Sequence, residues 1–208
     1  MAWWRDHHAH GEVIIVRWAD DFVVGFEDEQ DARQFLEELR ERFARFGLEL
    51  HPDKTRLLEF GRHAAWKRRR RGAGKPETFD FLGFTHICAT NRAGRFWIKR
   101  ITIAKRMRAK LAEIKIELKR RWHHPIPEQG QWLASVLRGH YAYYAVPGNS
   151  DAVNDLRFQA IRLWRKRLRR RSQRARLNWV RMKRIANRWL PRPRVMHPFP
   201  EVRFAART

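Results

Sequence analysis

Two adjacent carboxylates, Asp20 and Asp21, lie between two apolar runs rich in β-branched residues, at positions 13–16 and 22–24. Because such residues favour strands, the sequence predicts a β-hairpin with Ala19, Asp20 and Asp21 at its tip and both of its faces covered. Neighbouring carboxylates repel each other, and a divalent cation such as Mg²⁺ relieves that repulsion while binding a substrate phosphate. Aspartates also occur in turns that bind nothing. This stretch alone therefore leaves both interpretations open.

Three further motifs follow the acidic pair along the chain. They are Leu-Glu-Leu-His-Pro-Asp-Lys-Thr at 48–55, Phe-Asp-Phe-Leu-Gly-Phe at 79–84 and Leu-Arg-Gly-His-Tyr-Ala-Tyr-Tyr at 137–144. Together with Arg-Trp-Ala-Asp-Asp-Phe at 17–22, this order resembles the group II intron reverse transcriptases. The motifs at 17–22, 48–55 and 79–84 are similar to the palm of that family. The motif at 137–144 is similar to its thumb, which is also its maturase domain. The chain departs from the family pattern at Trp18, where tyrosine is usual.

The resemblance implies roles for individual residues at a nucleotidyl-transfer site. Asp20, with its neighbour Asp21, matches the hairpin position that holds Mg²⁺ ions, which clamp the attacking hydroxyl and the leaving phosphate. Lys54 matches a lysine near the leaving pyrophosphate, and Gly83 a glycine whose backbone lies against the primer strand. An ordinary turn lysine and a plain hairpin glycine are the alternatives for these two residues.

The same family uses another metal-binding aspartate from an earlier palm strand. Before Asp20 the only acidic residues are Asp6 and Glu12, and neither lies in a motif similar to that strand. The fingers have no counterpart either. We therefore expect the C-terminal part of such an enzyme, incomplete for polymerisation alone and dependent on a complementary N-terminal reverse-transcriptase fragment. In that case the partial palm should expose a sheet edge and an apolar face.

Charge is distributed unevenly along the chain. Residues 1–60 hold 8 Lys and Arg against 14 Asp and Glu, a net charge of −6, whereas residues 61–208 hold 38 against 8, a net charge of +30. Such an excess repels itself without a polyanion, and the interleaved aromatic residues suit nucleic acid. A membrane surface is the competing partner, but the basic segments lack one clean apolar face. The expected partners are therefore intron RNA and a DNA primer or cDNA, not a membrane.

Composition excludes several other classes of protein. No apolar run approaches the roughly 20 residues that a membrane-spanning helix needs, and the first residues do not resemble a signal peptide. The single cysteine, Cys88, rules out a disulfide framework within the chain and zinc sites with two or more cysteines. We expect a cytoplasmic protein.

Residues 1–100 are predicted to form a partial palm of short antiparallel strands with one helix. The helix spans residues 28–46, with Asp28 as its N-cap and Gly47 as its left-handed exit. The other predictions are strands at 48–50, 56–60, 79–87 and 95–98, a solvated lead-in with a histidine cluster at 1–11, and a flexible basic loop at 67–76.

Residues 101–208 are predicted to form a helical thumb or maturase bundle, because apolar residues recur every three or four positions from Thr102. The second helix covers about 128–146, with His140 packed in it, and Asp151 is expected to cap the third. A fourth helix at 174–190 precedes an extended tail. The third helix is expected to bury Val153, Leu156, Ile161, Trp164 and Leu168. The tail contains Pro191, Pro193, Pro198 and Pro200. The predicted fold class is therefore α+β.

Candidates for RNA contact lie on these helices. Arg165, Arg167, Arg169 and Arg170 are expected to be exposed and to neutralise phosphates. Tyr141 and Tyr143 are expected off the buried face, where they would stack on unpaired bases. The alternative is that both tyrosines fill the core of the bundle.

Three functions compete on this sequence. The first is an RNA-directed DNA polymerase with maturase activity, active only when completed. The second is a non-catalytic RNA-binding splicing factor that uses only the basic thumb. The third, a basic structural protein with an accidental acidic turn, is disfavoured by the ordered motifs.

Overall fold

The computed structural model of the chain describes residues 2–91, 93–171 and 177–199. Within these ranges it is an α+β fold with seven helices and two small antiparallel sheets, as the sequence predicts. Packing divides the chain into two compact units, Met1–Glu59 and Phe60–Thr208.

The first unit contains a two-stranded hairpin and two helices. Its elements in chain order are α1 (Ala2–His8), β1 (Val13–Trp18), β2 (Asp21–Phe26) and α2 (Glu29–Ala44). The strands pair antiparallel, with Val13 opposite Phe26 and Trp18 opposite Asp21. The hairpin prediction is confirmed, but the loop has only two residues, Ala19 and Asp20, because Asp21 already belongs to β2.

The expectation that both faces of the hairpin are covered is wrong. Successive side chains of a strand point to opposite faces, and Ile14, Val16 and Trp18 share one face that is open to solvent. Trp18 is 68% exposed. Only the other face, which carries Phe26, packs on helices. The sheet ends at two strands within the described residues, so the expected apolar face and free edge are observed.

The N-terminal segment is helical rather than a solvated lead-in. Trp4 of α1 is buried and makes edge contacts with Phe26 and Phe35, at ring-centroid distances of 5.8 and 5.0 Å. Its indole N–H donates to Glu38 Oε2 at 2.6 Å. The three aromatic residues come from α1, β2 and α2, so local sequence composition does not reveal that they meet.

Helix α2 begins and ends as predicted. Asp28 Oδ1 accepts the Gln30 N–H at 2.6 Å, and this N-cap satisfies one of the free donors of the first turn. At the other end, Gly47 adopts φ +65° while the Leu48 N–H donates to Phe43 O at 3.0 Å. The strands predicted at 48–50 and 56–60 are wrong, since neither segment pairs with a neighbour. Apolar alternation without a partner strand does not form a sheet.

The second unit begins with α3 (Ala64–Arg70) and a three-stranded sheet. The strands are β3 (Phe79–Phe81), β4 (Phe84–Thr90) and β5 (Phe96–Thr102), paired antiparallel in the order β3-β4-β5. This confirms the predicted strands at 79–87 and 95–98. The flexible basic loop is wrong where it covers residues 67–70, because these lie in α3, and Lys and Arg are good helix formers.

Four helices complete the second unit and hold its core. They are α4 (Ala104–Arg120), α5 (Ile126–Tyr144), α6 (Ser150–Arg169) and α7 (Trp179–Trp189). The five residues predicted to be buried on the third helix are all buried, and they pack with Ile114, Leu133 and Met182. Asp151 lies in the first turn of α6, whereas Asn149 occupies the N-cap position. The predicted positions 174–176 of the last helix and Pro200 lie outside the described residues.

Two buried polar side chains join the elements of this unit. Asn149 accepts the Thr102 N–H at 2.9 Å and donates to Thr102 Oγ1 and Tyr144 O, both at 2.8 Å. Gln129 Oε1 accepts the Trp164 indole N–H at 2.7 Å, and its amide donates to Arg121 O at 2.5 Å. Because their polar atoms are satisfied, these side chains hold β5 and the helices in one arrangement.

The tail after α7 has no regular secondary structure over residues 191–199 and packs back on the helices. Pro191 O accepts the Arg157 Nε–H at 3.0 Å, and the Met196 N–H donates to Ala145 O at 2.8 Å. None of the helices in the described ranges is both long and apolar enough to cross a membrane.

Candidate functional site

The tip of the β1–β2 hairpin presents the acidic pair to solvent. Asp20 is the second loop residue and Asp21 the first residue of β2, and both side chains are exposed. Ala19 adopts φ +52°, a left-handed conformation that costs free energy for a residue with a Cβ atom. The Arg17 Nε–H donates to Ala19 O at 2.9 Å. The arginine therefore holds the turn that projects both carboxylates from the strand ends.

The hairpin tip offers oxygen ligands but not a complete protein cage for a metal. No cluster of three or more His, Cys, Asp and Glu side chains with metal-binding geometry occurs among the residues that the structure describes. Mg²⁺ is typically held by one or two carboxylates together with substrate phosphates and water. Asp20 and Asp21 fit that smaller requirement.

Lys54 lies in the same unit, in an exposed turn that follows α2. The N–H groups of Lys54 and Thr55 both donate to His51 O, at 3.2 and 2.9 Å. In the described ranges, no ion pair joins the Lys54 ammonium to Asp20 or Asp21. The predicted role of Lys54 at the leaving group stays a prediction.

Gly83 lies in a strained two-residue turn between β3 and β4. Leu82 and Gly83 adopt φ values of +49° and +82°. The Tyr143 hydroxyl donates to Leu82 O at 2.7 Å, and a Cβ atom at Gly83 would lie 2.9 Å from Tyr144 Oη. Two tyrosines of α5 therefore clamp the turn to which the family resemblance assigns a primer contact. Sequence reasoning singled out both motifs but had no signal that they meet, since they are 61 residues apart.

The two tyrosines proposed for base stacking have different surroundings. Tyr143 is 49% exposed and stacks on Phe84 at 5.7 Å, as well as bonding to Leu82 O. Tyr141 is only 3% exposed and lies in the core of the bundle, so the expectation that it lies off the buried face is wrong. Burial raises the pKa of its phenol to about 12. Two helical positions turn a side chain by about 200°, so Tyr143 lies on nearly the opposite side of α5 from Tyr141.

The four candidate arginines at the C-terminal end of α6, where Arg170 is the C-cap, also differ. Arg169 and Arg170 are exposed as expected, whereas Arg165 and Arg167 are half-buried. The Arg165 Nε–H donates to Leu177 O at 3.2 Å, and its guanidinium lies 4.6 Å from the centroid of the Trp179 ring. Arg165 therefore also joins α6 to the segment that leads into α7.

His140 is packed, as predicted, rather than presented to a ligand. It is buried and stacks on Tyr144 with ring centroids 4.4 Å apart. Desolvation, together with the nearby Lys110 charge, lowers its pKa to about 4. The imidazole is therefore neutral at physiological pH.

A second histidine makes a paired polar contact near the hairpin. His10 Nδ1 lies 2.7 Å from Asp31 Oδ1, and the His10 backbone N–H donates to Asp31 Oδ2 at 2.7 Å. The hydrogen bond and the charge of Asp31 raise the pKa of His10, and the same hydrogen bond lowers the pKa of Asp31. The pair holds the segment between α1 and β1 against the start of α2.

Comparison with known proteins finds a similarity over part of the chain. No curated protein matches it. Residues 1–86 do match a family model, that of the reverse transcriptase (RNA-dependent DNA polymerase), and these residues include the acidic hairpin, Lys54 and Gly83. The segment that carries the candidate polymerase residues is thus similar to reverse transcriptases.

Proposed function

We propose that the chain is the C-terminal part of a group II intron-encoded reverse transcriptase, an RNA-directed DNA polymerase with maturase-type binding of intron RNA that assists splicing and mobility. The observation that carries this proposal is the exposed Asp20-Asp21 pair at the tip of a hairpin, within a segment that matches the reverse transcriptase family. The motif order described above supports the group II assignment.

In this proposal Asp20 and Asp21 hold Mg²⁺ on the hairpin tip. The ion, when bound, neutralises charge on the reacting phosphate and on the attacking and leaving oxygens. The strained turn held by Arg17 keeps the two carboxylates at that position. Lys54 stabilises or protonates the leaving pyrophosphate, and the backbone at Gly83 contacts the primer strand.

Two carboxylates supply part of a two-metal site. A complementary N-terminal reverse-transcriptase fragment contributes a further aspartate on a neighbouring palm strand. The exposed apolar face of Ile14, Val16 and Trp18 is available for that fragment. A sheet edge with an uncovered apolar face favours pairing with another strand.

The second unit binds the nucleic acid. Residues 61–208 carry a net charge of +30, and neutralised phosphates release counterions, so affinity falls steeply with salt. Exposed Arg169 and Arg170 are candidates for phosphate contact. Intron RNA and a DNA primer or cDNA are the proposed ligands, on the strength of the family resemblance.

Primer extension by the chain together with an N-terminal fragment of a related enzyme tests the catalytic half of the proposal. Asp20→Asn should reduce extension to background, because one metal ligand is lost. RNA affinity should stay within about twofold, as is usual for an exposed substitution away from the basic surface. Asp6→Asn is the matched control, since Asp6 is an exposed aspartate of α1 that pairs with Arg5.

The chain without that fragment should show no primer extension in Mg²⁺. Primer extension by Asp20→Asn at the wild-type level would show that the hairpin is not part of the active site. Robust extension by the chain alone would show that the acidic pair needs no complementary fragment.

A splicing factor without polymerase activity is the second candidate. It is favoured by the second unit, which holds its own buried core and most of the basic charge. In that case Asp20→Asn would leave intron splicing assistance unchanged, and no complementary fragment would restore primer extension.

A further inference from the structure

Phe158 and Trp179 form an exposed aromatic pair on the second unit. We propose that this pair is a stacking site for unpaired bases of single-stranded RNA, held between arginines that contact the adjacent phosphates. The proposal rests on the nucleic-acid binding proposed above and assigns it to particular side chains.

The two rings are aligned with each other. Phe158 is on α6 and Trp179 is the first residue of α7, and their centroids lie 6.2 Å apart with the ring planes only 12° from parallel. The cap of α7 fixes the backbone beside Trp179, since Asn178 Oδ1 accepts the Arg181 N–H at 2.9 Å. The pair is therefore ordered before any ligand arrives, which lowers the entropic cost of binding.

Both rings stay open to solvent although the core of the bundle is close by. Phe158 is 52% exposed and Trp179 is 38% exposed. Neither ring is needed to fill the interior, because α6 buries Trp164 and Leu156 on its inner face. Two adjacent exposed rings form a contiguous apolar patch, and exposed apolar patches can mark interaction sites.

Arginines surround the aromatic pair. The Arg165 guanidinium lies 4.6 Å from the Trp179 centroid, and that of Arg162 lies 5.9 Å from the Phe158 centroid. Phe158, Arg162, Arg165 and Arg169 follow one another at spacings of four, three and four residues, so they lie along one face of α6. A cationic row beside exposed rings matches the two parts of a single-stranded nucleic-acid site, which are backbone charge and base stacking.

A single strand fits this site better than a duplex or a membrane. Bases in a duplex have both faces occupied by their neighbours, whereas every unpaired base has a free π-face. A membrane-binding face would need apolar residues at most positions of the row, and three of these four positions are arginine.

Equilibrium binding to two RNA probes tests the proposal with the full chain. The probes are a fluorescently labelled oligouridine and a fully paired RNA hairpin with the same number of phosphates. Phe158→Leu combined with Trp179→Leu should weaken oligouridine binding about 5- to 100-fold. Hairpin binding should change by less than about twofold, and the salt dependence with oligouridine should keep its slope, because no charge is lost.

Arg162→Gln provides a second variant that leaves the aromatic pair in place. Its guanidinium is exposed and bonds within the described residues to Gln159, so the fold should tolerate the change. The expected result is a flatter salt slope with oligouridine, by roughly 0.7 on a log–log plot for one lost phosphate contact.

Trp66→Leu is the matched control. Trp66 is 58% exposed on α3 and has the Arg70 guanidinium 4.7 Å from its ring centroid, so it resembles one half of the proposed site. Its substitution should leave the affinity for oligouridine within about twofold, as for an ordinary surface change.

The outcomes separate this proposal from the proposed function. If the wild-type chain binds neither RNA, both fail. If it binds RNA but the Phe158/Trp179 double variant binds oligouridine normally, or loses affinity for both probes equally, the stacking site alone is overturned. Photo-cross-linking of bromouridine-substituted RNA to the wild-type chain needs no variant. A cross-link at Phe158 or Trp179 supports the site, and cross-links confined to other peptides overturn it.

Discussion

Loss of the Asn149 side chain should measurably destabilise the second unit. Asn149 is only 1% exposed, and its side chain bonds to Thr102, 47 residues earlier, and to Tyr144 O. In Asn149→Ala the Thr102 N–H becomes a buried donor without a partner, which costs about 1–3 kcal/mol. Tyr144 O keeps the Val146 N–H at 2.8 Å, so the other two lost bonds add only about 0.5–1.5 kcal/mol each.

The expected loss in the free energy of unfolding is therefore about 2–6 kcal/mol. For a unit of this size that corresponds to a fall in the melting temperature of roughly 5–20 °C. Urea unfolding, followed by the fluorescence of buried Trp164 and its neighbours, measures the change with the m-value as a check on two-state behaviour.

Asn154→Ala is the control for this measurement. Asn154 is an exposed asparagine of the same helix that donates to Ser150 O at 2.9 Å, so its loss should cost less than about 0.5 kcal/mol. Equal losses in the two variants would refute the reasoning, because they would show that the buried bonds of Asn149 contribute no more than a solvated one.

Two further predictions concern the hairpins. His10 should titrate above its ordinary pKa of 6.5 by NMR, and Asp31→Asn should return it towards 6.5. The stabilisation from His10 is complete below pH 6.5 and is lost as the pH rises through the raised pKa of His10. The stabilisation from Asp31 is complete above its ordinary pKa of 3.8 and is lost as the pH falls through its lowered pKa. A His10 pKa that does not change in Asp31→Asn would contradict this. Gly83→Ala should cost about 1–3 kcal/mol, from its φ of +82° and the contact with Tyr144, whereas Gly72→Ala, at φ +68° with open space around it, should cost only about 1 kcal/mol. Urea unfolding measures the loss in stability of each variant. Equal losses in Gly83→Ala and Gly72→Ala would show that the contact with Tyr144 adds no cost.

Elements set by local signals were predictable from the sequence. The cap at Asp28 and the exit at Gly47 bound α2, and both depend on side chains and backbone conformations within a few residues. The five buried positions of α6 follow from helical spacing alone. The strand predicted at residues 48–50 is wrong because a strand needs a partner, which the local sequence does not reveal. The loop predicted at residues 67–70 is wrong because the run of charge was interpreted as solvated, although Lys and Arg favour a helix.

The same distinction between local signals and contacts of distant segments applies to the candidate site. The acidic hairpin is local, and the sequence predicts it apart from the position of Asp21. The packing of Trp4 on Phe35, the clamp on Leu82 and the burial of Tyr141 depend on contacts between distant segments. Tyr141 and Tyr143 have the same residue type and similar neighbours in sequence, so composition does not show which of them enters the core.

The clamp on the β3–β4 turn also has a consequence for the order of folding. Leu82 holds a left-handed backbone conformation that a leucine does not keep unaided, and the hydroxyl that bonds to its carbonyl belongs to Tyr143. During synthesis on the ribosome, the strands on either side of the turn emerge well before α5 does. The turn therefore reaches its final conformation late, after a loop of about 60 residues has closed. A nascent chain that pauses before α5 would carry this hairpin without its clamp.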